Sequence, residues 1–301
     1  MLTKPREAYL AEELENFQET VKVLKPSPGE ISNLDGIDIH GASIPLEDVV
    51  GGDHIIYVDF DRRYNMDRRI KEAESEGRDE VAERLRESRR RVGILLADVS
   101  GHKVTDAVIA AMLHQAFLLG AYYELDRFGE ITTKLFEHLN QRFYRTTNVN
   151  KYLTLLYGEI SEEGRFRFLS AGHERPVVFS HEFGRFMPIS EERLISFPPV
   201  GMLPSTSDWD ERVDPGHLGF KQPYSVNEID LLADGDILLL FTDGLSDHGG
   251  GSYFPAHLEQ VLADTAARTA EQICKHLLED LLAFATPQDD VSFVVIKKTA
   301  T

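Results

Sequence analysis

The chain of 301 residues has one cysteine, Cys274, so it cannot form an internal disulfide, and no histidine or second cysteine stands beside it at metal-site spacing. Nothing points to an oxidising compartment. Nucleotide loops are lacking as well: Gly51 and Gly52 open no dinucleotide-binding pattern, and no lysine follows a glycine loop at the spacing that cradles phosphates. Met1 to Arg6 runs straight into a Glu-rich stretch with no apolar signal core. No run is expected to reach the roughly 18 to 20 apolar residues that a membrane span needs. These absences point to the cytoplasm. Positive charge is scarce, with 32 basic against 51 acidic side chains and a net charge of -19. Tight nonspecific binding to nucleic acid or an anionic membrane is thereby disfavoured, and metal ions or basic partner surfaces are favoured.

What is present is apolar material for one large core with decorations, at 42% hydrophobic residues. Residues 1–35 read as a short helix, Ala8 to Val23, followed by a Pro- and Gly-containing linker, and residues 36–301 as the main domain. Ile37 to Ser43 and Val49 to Phe60 have strand character. Asp61 to Arg91 then holds 11 basic and 9 acidic residues in 31, which predicts a charged helical insertion, an excursion or a hairpin, projecting from the core. Val92 to Ala97 is a buried-strand run, and Val104 to Ala121 and Phe128 to Phe143 have helical periodicity. Tyr152 to Ile160, Arg165 to Ala171, Pro176 to Phe179, Ile237 to Phe241 and Val291 to Lys297 read as strands, and Phe254 to Leu282 as largely helical. No element is assigned to His181 to Glu192. Hairpins in place of regular strand-helix alternation predict an α+β fold of antiparallel sheets covered by helices.

The chemistry-bearing pattern is an aspartate beside glycine at the boundary of an apolar strand. It occurs at Gly51-Gly52-Asp53, at Leu95 to Asp98 followed by Val99-Ser100-Gly101-His102, and at Leu239 to Gly244 around Asp243. A further acidic pair, Asp289-Asp290, precedes the last strand. Carboxylates at buried strand ends are costly without compensation, and no lysine or arginine is adjacent to these positions. Oxygen-rich clusters suit hard divalent cations such as Mn²⁺ or Mg²⁺. Two ions roughly 3.5 to 4 Å apart can share a hydroxide and clamp a phosphate ester for in-line attack. A single Asp-Gly is more often a turn, and it is the recurrence that carries the reading.

The blocks Gly51 to Asp53, Ile94 to His102, Thr154 to Ile160, Ser170 to His173, Gly235 to Leu245 and Gln288 to Ser292 together resemble the bacterial branch of the PPM/PP2C serine/threonine phosphatases, the SpoIIE/RsbU-like branch of sigma-factor regulation. The resemblance runs in order over about Ile37 to Lys298. It implies a layered fold with two central, mainly antiparallel sheets flanked by helices and two ions, Mn²⁺ or Mg²⁺. By motif, Asp98 corresponds to the ion-bridging aspartate and Val99 to a backbone-carbonyl ligand, while Asp53, Asp243 and Asp289 complete the metal set and Asp98 and Asp243 are the catalytic pair. Asp290 is weighed as a residue that supports the site or caps the turn against a direct ligand. The implied substrate is phosphoserine or phosphothreonine on a small anti-sigma-factor antagonist.

Several features depart from that pattern. The stretch between Asp53 and Asp59-Phe60 is longer by three residues, which makes Asp59 an alternative ligand; Lys103 stands where a glycine is usual, and Glu174-Arg175 where proline is commoner. His102 and His173 are weighed as proton donors against structural hydrogen bonds, and His114 and His138 as packing residues. Ser100 lacks the nucleophile-elbow glycine. Arg62, Arg63, Arg68 and Arg69 are weighed as phosphate or partner contacts against a solvated helix face. The alternatives to a phosphatase are a non-catalytic scaffold of the same fold and a hydrolase of small phosphorylated metabolites. The leading helix and the insertion make a homodimer an expected state.

Overall fold

The computed structural model describes residues 3–22, 34–46, 51–100, 104–144, 152–190, 194–206, 216–231 and 233–300. The linker prolines, residues 47–50 and the His102-Lys103 pair lie outside these segments. The chain opens with α1 (Thr3–Lys22), β1 (Ile37–Ile44) and β2 (His54–Asp59), and continues through α2 (Phe60–Arg63), α3 (Met66–Ser75) and α4 (Asp79–Ser88) to β3 (Arg91–Val99). Next come α5 (Val104–Phe128), α6 (Thr133–Phe143), β4 (Leu153–Ser161), β5 (Arg165–Ala171), β6 (Val177–Ser180), β7 (Arg185–Met187) and β8 (Asn227–Asp230). The C-terminal part holds β9 (Ile237–Phe241), α7 (Asp243–Ser246), α8 (His248–Gly251), α9 (Ala256–Thr265), α10 (Ala270–Phe284) and β10 (Val291–Lys298).

Among the described residues the strands form two five-stranded sheets, ordered β1-β10-β9-β6-β7 and β2-β3-β4-β5-β8. Every pairing is antiparallel. Side chains alternate across a strand, so burial on both faces needs an unbroken apolar run. Ile94, Leu96, Leu156 and Phe166 of one sheet meet Ile39, Leu238, Leu240 and Val294 of the other in an inter-sheet core. The opposite faces carry separate cores: Leu95, Ala97, Leu155 and Leu169 pack under the α3–α6 layer, and Leu239, Phe241, Phe293 and Val295 under α9 and α10. The result is the expected α+β architecture, with helices outside two central antiparallel sheets.

Three elements differ from the sequence expectation. The charged stretch does not project: α3 and α4 form a hairpin whose Met66, Ile70, Ala73, Ala82 and Leu85 are buried in the same core as α5. Its charges lie on the outer face as ion pairs, including Arg89 with Asp61 at 2.8 Å and with Asp67 at 2.7 Å. Helix α5 runs on to Phe128, and its segment Asp106–Phe128 is long and apolar enough to cross a membrane by length and composition, contrary to the expectation that no run reaches that length. Ala107, Ala110, Leu113, Phe117, Ala121 and Leu125 form the buried stripe of that helix, at 3.6-residue spacing, while Val108, Met112, Leu119, Tyr122 and Tyr123 are exposed. The short strands β7 and β8 escaped notice because three and four residues are too few to show a period.

The sheets bring the chain's acidic motifs to one end. Antiparallel pairing sets His54 opposite Ala97, so the start of β2 and the end of β3 coincide; Phe241 opposite Phe293 does the same for β9 and β10. Gly158 faces the inter-sheet core, where an added Cβ would overlap the edge of the Phe166 ring, which stacks on Phe168 with centroids 5.2 Å apart. Gly158→Ala is expected to lower stability by about 1–3 kcal/mol through overpacking, measured by urea unfolding.

Candidate metal centre

Five aspartates come to this shared end from two sheets. Asp53 directly precedes β2, Asp98 is the penultimate residue of β3, Asp243 opens α7 after β9, and Asp289 and Asp290 precede β10. The two early segments are stitched together by the Val99 N–H, which donates to the Gly52 carbonyl at 3.3 Å. Thr242 joins the sheets: its hydroxyl donates to Asp53 Oδ2 at 2.8 Å and accepts from the Ser292 N–H at 3.0 Å. One oxygen of Asp53 is thus held from the protein side.

Asp290 fixes the Gly51-Gly52-Asp53 turn. Its two carboxylate oxygens accept the Leu46 and Gly52 N–H groups, each at 2.6 Å, and the residue is 3% exposed. A Cβ on Gly51 would fall inside that carboxylate, which is why glycine stands there. Asp59 does not join the set. It sits at the far end of β2, about 20 Å along a six-residue strand, and accepts the Arg62 N–H at 3.0 Å as the cap of α2.

The electrostatics follow from burial and crowding. Burial, then Asp243, Asp289 and Asp290, push the Asp98 carboxyl up to about 7. Burial and Asp98 raise Asp53 well above the usual carboxylate range, against the opposing hydrogen bonds from Thr242 and Ser292. Asp243 is raised by burial, then by Asp289 and Asp247. Glu174 is raised by burial, then by Asp243 and Asp247. Asp247 and Glu174 therefore belong to the acidic set although neither was a candidate ligand; one helical turn from Asp243 to Asp247 was the available signal.

Among the described residues no three carboxylate, imidazole or thiol groups form a ready-made cage for an ion. The donor set nevertheless fits hard divalent cations. It is all oxygen, and its members repel one another with other carboxylates as their main charged neighbours, the condition a cation relieves.

Several of the remaining candidates make contacts within the fold. His173 is buried, its Nδ1 lies 2.8 Å from the Thr154 hydroxyl, and burial lowers its pKa to about 3, so it stays neutral at physiological pH. Ser100 closes a turn with Tyr152 through its hydroxyl, which accepts the Tyr152 N–H at 3.2 Å. Arg63 donates to the Tyr57 carbonyl, Arg68 pairs with Glu72, and Arg69 lies over the Tyr122 ring at 4.4 Å. These arginines hold the insertion in place at the end of β2 away from Asp53.

The family model for Stage II sporulation protein E (SpoIIE) matches residues 88–299, more than half of the chain. The chain belongs to the SpoIIE family. It is the family whose name stands in the resemblance read from the sequence motifs. A curated relative, phosphoserine phosphatase RsbP of Bacillus subtilis, is 26% identical over 166 residues, 54% of this chain and 35% of the relative. The chain thus spans about a third of that relative's length. The SiaA-PP2C domain of Pseudomonas aeruginosa superposes with a TM-score of 0.63 at 14% identity, covering 99% of each chain. The catalytic domain of the serine/threonine phosphatase PstP, determined with two manganese ions, gives 0.51 at 14% identity, covering 88% of this chain and 99% of that one. At these identities the two structures show a shared fold.

Two outcomes follow. Folded Asp98 keeps its proton up to about pH 7, whereas in the unfolded chain it releases it near 4. The folded state binds more protons in that window, so this group's contribution is complete below about pH 4 and is lost as pH rises through 7. In chelator, Asp98→Asn is expected to be more stable than the parent by about 1–3 kcal/mol at pH 8 and indistinguishable from it at pH 4, read from thermal melts across pH. Asp290→Asn, whose amide can accept only one of the two N–H groups, is expected to lose about 1–3 kcal/mol in denaturant titration. Calorimetric titration should also show its Mn²⁺ affinity reduced about tenfold.

Proposed function

We propose that the chain is a metal-dependent protein phosphatase that hydrolyses phosphoserine or phosphothreonine on a regulatory partner protein. The observation that carries this reading is the convergence of Asp53, Asp98, Asp243 and Asp289 from four strand ends onto one spot where their charges oppose one another. Family membership, a relative named as a phosphoserine phosphatase and a fold relative determined with two manganese ions support it.

Asp53, Asp98, Asp243 and Asp289, with the Val99 carbonyl, are the residues that would hold two Mn²⁺ or Mg²⁺ ions, with Asp98 and Asp243 as the catalytic pair. Bound there, the cations supply the positive charge that a phosphate ester and its attacking water require. The chain's own contribution is positional. Thr242 and Asp290 hold Asp53 from behind, Val99 ties the β3 end to the Gly52 turn, and both sheets exclude water from beneath the carboxylates. His173, neutral and enclosed, braces Thr154 across from Asp98 and donates no proton to a leaving group. With a net charge of -19, the partner we favour presents a basic or neutral surface around its phosphoresidue. A small anti-sigma-factor antagonist is the partner class that the family suggests. Tyr9, Leu10 and Leu14, exposed on α1, are the side chains through which a second copy would pair.

Phosphate release from phosphoserine and phosphothreonine peptides with Mn²⁺, measured for the parent, Asp98→Asn and Asp243→Asn, tests this reading. Metal-dependent release that falls about 100-fold or more in both variants is the expected outcome. Absence of release from protein that demonstrably binds metal would favour a binding module of the same fold.

A further inference from the structure

One pair of metal-ligating side chains lies outside the oxygen cluster. His54, the first residue of β2, and His114, near the middle of α5, face each other with Nε2 and Nδ1 2.8 Å apart, ring centroids 5.0 Å apart and ring planes at 64°. His54 is 8% exposed and His114 is half-buried, so the junction opens to solvent on the helix side. His54 continues the β2 face that carries Ile56 and Val58 into the core under α5, whereas Asp53 turns to Thr242 on the other sheet. Successive residues thus serve opposite sides of the strand.

The observed contact is a hydrogen bond between the two rings, with one proton between two nitrogens. The same two nitrogens are also close to the arrangement that a tetrahedral ion needs. Two ligands at about 2.0–2.1 Å from such an ion stand about 3.3 Å apart. A separation greater by about half an ångström is within reach of small side-chain rotations inside the present rotamers. For the ion to enter, both facing nitrogens must be unprotonated, so each ring carries its proton on its other nitrogen. Imidazole nitrogens select borderline-soft cations, Zn²⁺ and Co²⁺ among them, over Mg²⁺, which keeps to oxygen and water. Water on the helix side can fill the remaining positions.

We propose that His54 and His114 form a second, nitrogen-ligated cation site that takes Zn²⁺ or Co²⁺ and is chemically distinct from the carboxylate centre. An ion there fastens the middle of α5 to the residue next to Asp53, and so joins the helical layer to the turn held by Asp290. The site does not depend on the phosphatase reading.

Co²⁺ titration of the full chain in saturating Mg²⁺, followed by visible absorption and by displacement with Zn²⁺, tests this directly. The parent and Asp98→Asn are expected to bind one equivalent with ligand-field bands, while His54→Phe and His114→Gln bind at least tenfold more weakly and lose the bands. His114→Gln alters a half-exposed helix position, and far-ultraviolet dichroism with a thermal melt verifies that each variant is folded. If His54→Phe fails to fold, His114→Gln alone decides. Equal Co²⁺ binding by the parent and the folded histidine variants, loss of binding in Asp98→Asn, or no binding by the parent would each overturn the proposal.

Discussion

Mutual repulsion among carboxylates at the meeting point of two sheets is the constraint around which the rest of the molecule is arranged. Asp53, Asp98 and Asp243 each sit where burial and neighbouring acids disfavour ionisation. Groups left to themselves would move apart or bind protons. They stay because the backbone that carries them is fixed elsewhere: by the β2–β3 and β9–β10 ladders, by the Thr242 bridge and by the two N–H groups that Asp290 accepts. The three apolar cores supply the stability against which this repulsion is tolerated. The arrangement is poised for a cation because the protein leaves its own charge problem unsolved.

Much of this was legible in the sequence, for identifiable reasons. Fully apolar runs such as Ile237 to Phe241 and Val92 to Ala97 are strands buried on both faces, with Asp98 directly after the second and Asp243 two residues after the first. That coincidence is readable without coordinates. Arg165 to Ala171 alternates exposed and buried positions at its start, the plain signature of a strand with one open face. The layered α+β architecture follows from such runs together with the hairpin turns between them.

What was not legible depended on contacts between distant segments. The charged stretch 61–91 has few apolar residues, and composition alone made it an arm; that Met66, Ile70, Ala73, Ala82 and Leu85 share a single buried side appears only when α3 and α4 fold back on each other against α5. Asp59 looked like a spare ligand because counting along the chain cannot tell the two ends of a strand apart. Asp290 and Asp289 are neighbours in sequence, yet one turns inward to backbone amides and the other remains exposed. Pairings such as His54 with His114, 60 residues apart, leave no mark on local periodicity.

The sheet order has a consequence for synthesis. The sheet containing β2, β3, β4, β5 and β8 draws only on residues 54–230, whereas the other pairs β1 with β10, elements near opposite ends of the chain. A ribosome releases residues from the N-terminus at about 5–20 per second, so the first sheet can form while β1 still waits for its neighbour. Asp289 and Asp290 follow the whole of that first sheet in sequence, and until they emerge Gly52 and Leu46 have no carboxylate to donate to. A nascent chain would therefore carry Asp53 and Asp98 on a folded platform for seconds before Asp289 and Asp290 join them.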